Sequence, residues 1–226
     1  MNLSYQWLKT YLDLNVPVRQ LAEKIERTSV EYDDIQIPRS GLKKIVVGKI
    51  LKFKKHPNAD HLQICQVDVG RVQPLQIICG APNVKQGKKV IVALPGSRVG
   101  GNVKIKKAKM RGVESDGMLC ALDEIGFDKS VVPKEWQAGI YYLPDNAKIG
   151  TPVYPYLGMN DQIIDLDVTP NRGDMLSMTG IVHELAAVYK LKPHFHQLQV
   201  KENTARKTNN QIQATADQKL APIYKL

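Results

Sequence analysis

The chain changes texture twice. From Gly41 to Gly150 it runs in short apolar stretches punctuated by glycine and proline, while the segments on either side carry helical periodicity. Within the central stretch, Ile45–Phe53, Leu62–Val69, Leu75–Ile78 and Val90–Leu94 are rich in β-branched residues and partly alternate. Turn residues separate them at His56-Pro57-Asn58, Gly70, Gly80-Ala81-Pro82-Asn83, Lys85-Gln86-Gly87 and Pro95-Gly96. Short strands at this spacing cannot each bury a face alone, and they fold together as a small sandwich or barrel. Basic residues are interleaved with these strands, so closure would gather them on one groove-bearing face. That combination predicts an OB-type β-barrel, an architecture that binds oligonucleotides on one face.

The flanks read differently. Ser4 is placed to cap a helix whose apolar residues Trp7, Leu8, Tyr11 and Leu12 form one stripe. Pro17 suits the first turn of a second helix through Leu21, Ala22 and Ile25, with Arg19, Glu23, Glu26 and Arg27 on its polar face. Val30, Tyr32, Ile35 and Ile37 then suggest a strand that Pro38 ends. Two helices and one strand lack a partner for their apolar faces. A partner arrives after Thr151-Pro152: Ile163–Val168 alternates as a half-buried strand, Thr169-Pro170-Asn171-Arg172 breaks it, and Asp174 is placed to cap a helix through Ile181, Leu185, Ala186, Val188 and Tyr189.

The fold class expected is therefore mixed α/β with a β-rich core, an OB-type β-barrel inserted into a small discontinuous α+β domain. Residues 1–40 plus 151–195 form the split domain, 41–150 the barrel, and 196–226 a linker and the start of a following domain. The strand at Val30–Ile37 should lie beside Ile163–Val168, and the Trp7 stripe should pack on the helix bearing Leu185 and Val188. The apolar ending Ile223-Tyr224-Lys225-Leu226 suggests a chain that continues, of which this is the N-terminal part.

Charge narrows the function. Between Lys43 and Arg111 there are sixteen Lys or Arg and two acids, Asp60 and Asp68, a net of +14 in a chain of formal net charge +10. A local excess of this kind concentrates polyanions and releases their counterions on binding, which makes nucleic acid the leading partner and a merely solvated basic face the alternative. No apolar run approaches the roughly 20 residues of a membrane helix, and Met1–Leu12 lacks a charged leader, so a cytoplasmic chain without membrane contact is expected. Cys65, Cys79 and Cys120 are odd in number, sit in apolar contexts and form no C-x-x-C, so they read as reduced core residues and not as zinc ligands.

Four motifs carry a family resemblance. They are Lys55-His56-Pro57-Asn58-Ala59-Asp60-His61-Leu62, Cys65-Gln66-Val67-Asp68-Val69-Gly70, Ile78-Cys79-Gly80-Ala81-Pro82-Asn83-Val84 and Arg111-Gly112-Val113-Glu114-Ser115-Asp116-Gly117-Met118-Leu119-Cys120. In this order they resemble the tRNA-binding OB domain that is appended to several aminoacyl-tRNA synthetases and also occurs free. Ser4-Tyr5-Gln6-Trp7-Leu8 with Tyr11, and Asp165 to Asp174 followed by His183-Glu184-Leu185-Ala186-Ala187, resemble the bacterial phenylalanyl-tRNA synthetase beta subunits over roughly residues 1 to 195. The resemblance implies tRNA and an alpha subunit, in an (αβ)2 assembly, as partners. It also implies ATP and magnesium for the whole enzyme, with catalysis carried by the alpha subunit and no catalytic residue or cofactor in this stretch. The competing expectation is a stand-alone OB-fold tRNA-binding or chaperone-like protein; the split flanks favour the synthetase subunit, since a free module needs no host domain. A structural adaptor docking through the Trp7, Leu8 and Tyr11 stripe is compatible with the synthetase-subunit expectation.

The candidate RNA-binding residues are Lys54, Lys55, Asn58, Lys104, Lys106, Lys107, Lys109, Arg111 and Ser115. Lys104 to Arg111 alternate with Val103, Ile105, Ala108 and Met110 at strand-like spacing, which would put several charges on one face, and phosphate contact needs no finer geometry. His56 and His61 flank a tight turn and lack a third ligand, so geometry explains them better than metal or general-base chemistry. Asp165 and Asp167 are one strand period apart and Asp174 is placed for capping, which argues against a carboxylate site. Arg172 after Pro170-Asn171 reads as a lock on its turn or on an interdomain contact sooner than as a substrate ligand. Phe53 is the one aromatic residue between Gly41 and Arg111, so backbone-dominated, salt-sensitive and weak RNA binding is expected.

Overall fold

The structure, a computed structural model, describes residues 1–195; the linker expected at 196–226 lies outside the described residues. Its strands in chain order are β1 (Asn2–Ser4), β2 (Glu31–Gln36), β3 (Lys43–His56), β4 (Ala59–Asp68), β5 (Leu75–Cys79), β6 (Lys89–Val99), β7 (Val103–Lys104), β8 (Ala108–Met110), β9 (Val113–Ser115), β10 (Met118–Cys120) and β11 (Ile163–Asp167). The α-helices are α1 (Tyr5–Leu8), α2 (Val18–Thr28) and α3 (Met178–Tyr189). The chain is β-rich with antiparallel sheets.

A three-stranded sheet takes strands from both ends of the described chain, in the order β1-β11-β2. Ile164 faces Leu3 on one side and Ile35 on the other, so the strand at Val30–Ile37 does lie beside that at Ile163–Val168. Alternation along β11 buries Ile164 and Leu166 against Leu3, Leu8, Leu12, Leu21, Ile25, Ile181 and Leu185. Asp165 and Asp167 consequently point to the other face, where Asp165 meets the Met1 ammonium at 3.4 Å. Helix α2 presents Leu21, Ala22 and Ile25 to this core, and an Arg19–Glu23 pair at 3.6 Å lies on its exposed face.

Two flanking details differ from expectation. Ser4 does cap α1, its Oγ accepting from Trp7 N at 3.0 Å, but α1 is one turn long. Leu8 and Leu12 turn inward while Trp7 remains 51% exposed, so Trp7 is not packed on α3. The second detail concerns Asp174. Ser177 caps α3, its Oγ accepting from Gly180 N at 3.0 Å, because a 3-10 stretch from Pro170 to Leu176 intervenes and moves the helix start past Asp174. Asp174 instead accepts two bonds from Arg172, Nε to Oδ1 at 3.0 Å and Nη2 to Oδ2 at 2.9 Å, and these hold its carboxyl below the usual carboxylate range. Arg172 also reaches Glu184 on α3 at 3.0 Å, and Ser29 at the end of α2 donates to the same carboxylate at 2.6 Å. Arg172 therefore locks its turn to α3, as the sequence suggested.

The larger sheet runs β10-β6-β3-β4-β5, with β7 paired to β6. Both faces of β6 are covered: Val90, Val92 and Leu94 enter one core with Ile50, Cys65, Val67, Ile77 and Leu119, while Ile91, Ala93 and Val99 enter another with Ile45, Val47, Ile125, Leu143 and Tyr154. That double burial explains the unbroken apolar run Val90–Leu94. The turn expected at Pro95-Gly96 is a bend inside β6 instead. Gly96 takes φ +83° and its N–H donates to Ile105 O at 2.7 Å, so pairing with the following segment keeps the strand going.

No ladder joins the two edges β10 and β5, so the sheet described here is open and the closed barrel expected is not found among the described residues. Bonds across the gap come from the β9–β10 turn: Asp116 N donates to Gln76 O at 2.7 Å and Ile78 N to Ser115 Oγ at 3.0 Å. A Cβ on Gly117, which has φ +132°, would stand 2.6 Å from Ala93 O, so this turn demands glycine.

Cys65, Cys79 and Cys120 are free and buried. Burial pushes the Cys65 thiol up to about 12, with Cys79 adding to the shift, and burial also raises Cys79 and Cys120. At pH 8 a thiol reagent should label the denatured chain at all three positions and the native chain only at the rate of global opening; rapid native labelling would contradict this packing. The ordinary thiol ionises near 9.0 and the folded Cys65 near 12, so unfolding releases a proton in that window and stability falls as pH rises through it.

Candidate nucleic-acid interface

The inner half of β3 is buried, but Leu51 to Lys55 are all exposed, because beyond Ile50 the strand leaves the core and pairs only with β4. Lys54 stands opposite Ile64 and Lys55 opposite Gln63 on this projecting arm. Pro57 and Asn58 form its tip, a two-residue turn into β4. A second hairpin, β8–β9, turns at Arg111 and Gly112, both with positive φ (+45° and +92°), the backbone that a tight hairpin of this hand needs.

The two tips are tied together. Asn58 Nδ2 donates to Arg111 O at 3.3 Å, and Arg111 Nη1 returns a bond to Asn58 O at 3.4 Å. His56, 5% exposed, accepts at Nδ1 from Asn58 N at 3.1 Å, which leaves Nε2 carrying the proton that bonds Met110 O at 3.2 Å. His56 is thus the pin between the hairpins, while His61 is exposed. Around the joint lies a cleft of about 460 Å³ lined by Pro57, Asn58, Ala59, Asp60, His61, Leu62 and Arg111.

The segment Lys104–Arg111 is not one strand. Lys104 lies on β7 opposite Arg98, Lys106 and Lys107 fall in the connection, and Lys109 lies on β8 opposite Glu114. The alternation was real, but pairing to two different partners splits the charges between two ladders, which corrects the expectation of a shared face. Lys104, Lys106, Lys107, Lys109 and Arg111 are nonetheless all exposed. Lys107 is engaged by Asp116 at 2.9 Å, and this bond raises its pKa, so its charge is already met. Ser115 is a correction: it is 1% exposed, accepts from Ile78 N and donates to Gly117 O at 3.0 Å, and so closes the sheet edge instead of facing solvent.

Sequence reading passed over a second, more enclosed depression of about 340 Å³, lined by Lys52, Phe53, Lys54, Ile64, Gln66, Pro74 and Gln76. Lys52, Phe53 and Lys54 come from β3, Ile64 and Gln66 from β4, Gln76 from β5 and Pro74 from just before it, and only the ladder register reveals that Lys52, Gln66 and Gln76 stand side by side. Among the described residues no group of three or more His, Cys, Asp or Glu is arranged to hold a metal. Asp165 is taken by the Met1 amine and Asp174 by Arg172, so these carboxylates do not fit a magnesium–nucleotide site.

A surface of exposed cations beside clefts, on an antiparallel sheet, is the kind of site a nucleic-acid-binding module presents, and the comparisons agree: residues 45–152 match the family model described as "Putative tRNA binding domain". Over its whole length the chain is 56% identical to the phenylalanine–tRNA ligase beta subunit of Lactiplantibacillus plantarum and 55% identical to that of Latilactobacillus sakei, spanning 28% of each. With the beta subunit of Streptococcus mutans it shares 50% identity over 86% of its own length and 24% of that protein's. Over its full length the chain is thus similar to the N-terminal region of phenylalanine–tRNA ligase beta subunits, and it spans about a quarter of their length.

Proposed function

We propose that the chain is the RNA-binding N-terminal part of a phenylalanine–tRNA ligase beta subunit, acting in the cytoplasm and holding tRNA chiefly by its phosphates. The carrying observation is the joint between the two hairpins, where Asn58, Arg111 and His56 lock Lys54 and Lys55 on one arm to Lys109 on the other. A rigid joint fixes the spacing of the cations before any ligand arrives, and exposed lysines beside it need only Coulomb attraction and counterion release to hold a phosphate chain. In this reading the open sheet is a partly open OB-type barrel, in which the Ser115 and Asp116 bonds take the place of a closing ladder.

The split-domain organisation supports the same reading. The sheet built from β1, β11 and β2 leaves the larger sheet's residues between its own strands, as an insertion would. Val153, Tyr154 and Met159 bury with the larger sheet, so we place the return point nearer residue 160 than 150. The small domain then serves assembly with the alpha subunit, and ATP and magnesium act elsewhere in the enzyme. A stand-alone binding protein is the second reading, and identity extending through both flanks weighs against it.

Two measurements test this. Titration of tRNA with the chain at several salt concentrations should give binding that weakens steeply with salt; salt-independent binding, or none at low salt, would remove the reading. In ATP–pyrophosphate exchange with phenylalanine, the chain without alpha subunit should remain at background. The described residues carry no Gly-rich phosphate loop of the Walker type and no convergent acids. Exchange above background would place adenylate chemistry in this chain.

A further inference from the structure

We infer that Asp60 accepts a hydrogen bond from a ribose 2′-hydroxyl of bound RNA, and that the cleft at the joint of the two hairpins thereby distinguishes RNA from DNA. This rests on the RNA-binding reading and adds a specificity-determining residue to its phosphate contacts.

Two acids, Asp60 and Asp68, interrupt the cationic stretch from Lys43 to Arg111. Asp68 is occupied by the fold: its Oδ1 accepts from Gly70 N at 2.8 Å and shapes the turn after β4. Asp60 has no such use. It is exposed and, among the described residues, makes no hydrogen bond or ion pair. The register of β4 explains how it is presented. Lys55 pairs with Gln63 and His56 with Ala59, so Asp60, His61 and Leu62 form a three-residue bulge without partners on β3. A bulge lifts side chains out of a strand's alternation and re-aims them, and here all three line the cleft of about 460 Å³ together with Arg111.

A carboxylate on a phosphate-binding face repels the ligand's backbone, and when ionised it can only accept hydrogen bonds. Only a donor on the ligand offsets that repulsion. The sugar–phosphate backbone of RNA carries one kind of donor, the 2′-hydroxyl, and that of DNA carries none. Donors on a base edge are the alternative, but a base drawn out of its stack is ordinarily held on an aromatic face, and the lining of this cleft has no Phe, Tyr or Trp. The position fits as well. The outer half of β3 projects as an arm, and A-form RNA has a wide, shallow minor groove displaying 2′-hydroxyls that a projecting tip can reach. Lys55 on that arm is exposed, as is Arg111, which uses one N–H on Asn58 O and lines the same cleft; both are available to the phosphates that border the groove.

The test compares two fluorescein-labelled RNA hairpins of the same sequence and phosphate number, one natural and one with fluorine in place of every 2′-hydroxyl, a change that keeps the A-form helix and removes the donor. The chain should bind the natural hairpin roughly tenfold more tightly, the size of one charge-assisted hydrogen bond. Asp60→Ala should bring the two affinities within about twofold of each other, and should hold the fluorinated hairpin at least as tightly as the parent does, because a like charge is removed. Lys55→Ala should weaken both hairpins and leave their ratio unchanged. Since Asp60 makes no bond within the described fold, Asp60→Ala should unfold at the parent's temperature, which separates loss of recognition from loss of the fold. Equal affinity of the parent for the two hairpins, or a preference that survives Asp60→Ala, would overturn the role of Asp60 while leaving the phosphate-binding reading in place. Failure of the parent chain to bind either hairpin at low salt would overturn that reading itself.

Discussion

Alanine at Lys104, Lys106, Lys107 and Lys109 together should lower tRNA affinity roughly 10- to 100-fold at moderate salt and flatten the plot of log K against log salt by about 2 to 3 units. Each phosphate neutralised contributes about 0.7 to 0.9 to that slope, so four independent cations would remove about 3. The structure lowers the expectation for one of them. Lys107 is held by Asp116 at 2.9 Å and must exchange one anion for another, whereas Lys109 is exposed on β8. The single variant Lys107→Ala should therefore change the slope less than Lys109→Ala. Fluorescence anisotropy of labelled tRNA across a salt series reads both quantities, and an unchanged slope in the fourfold variant would rule this cluster out as the phosphate track. Ser115→Ala serves as a contrast: it removes a buried acceptor for Ile78 N, so it should reduce thermal stability before it alters the salt slope.

The other large effect is on stability. Leu8→Ala should destabilise the sheet of β1, β11 and β2 by about 2 to 5 kcal/mol, the usual cost of emptying a fully buried leucine site. Trp7→Ala, one residue earlier, should cost about 1 kcal/mol or less, because its ring is half exposed and its bonds to Ser4 and Thr10 are made by backbone atoms that alanine keeps. A domain is stable by only about 5 to 15 kcal/mol, so the first change is a large fraction of the whole. Amide exchange shows where the loss falls. If the small sheet is a cooperative unit of its own, Leu8→Ala should accelerate exchange at Ile163–Asp167 and in α3 while β3, β4 and β6 stay protected. Equal acceleration in both sheets would make the described chain one unit and remove the insertion proposal.

These variants mark where sequence and structure part. Periodicity identified α2, β2, the inner half of β3, β4, β5, β11 and α3 because each carries its own signal: a 3.6-residue stripe or a period-2 alternation bounded by proline, glycine or a cap. The pairing of β2 with β11 was legible too, since each was an apolar face without a local partner. The same reasoning failed for Trp7, where two adjacent apolar residues look alike in a stripe but a one-turn helix can bury only one. It failed for Pro95-Gly96, where turn residues produced a bend, because a neighbouring segment supplied the bond that kept β6 going.

The candidate site was legible only as a list. Sequence alone determined that the cations are concentrated between Lys43 and Arg111, that β strands carry them, and, by family likeness, that RNA is the partner to test. Charge and β propensity are properties of residues and short segments, so they survive without a fold. Tertiary structure decided which cations are usable: Lys107 meets Asp116 through the register of its own hairpin, and Arg111 meets Asn58 through a contact between two hairpins far apart in the chain. It withdrew Ser115 to the sheet edge and brought Lys52, Gln66 and Gln76 onto one face of three strands. The physical reason is register: which side chains of three strands share a face is set by how their hydrogen-bonded ladders align, and no single strand's sequence contains that alignment.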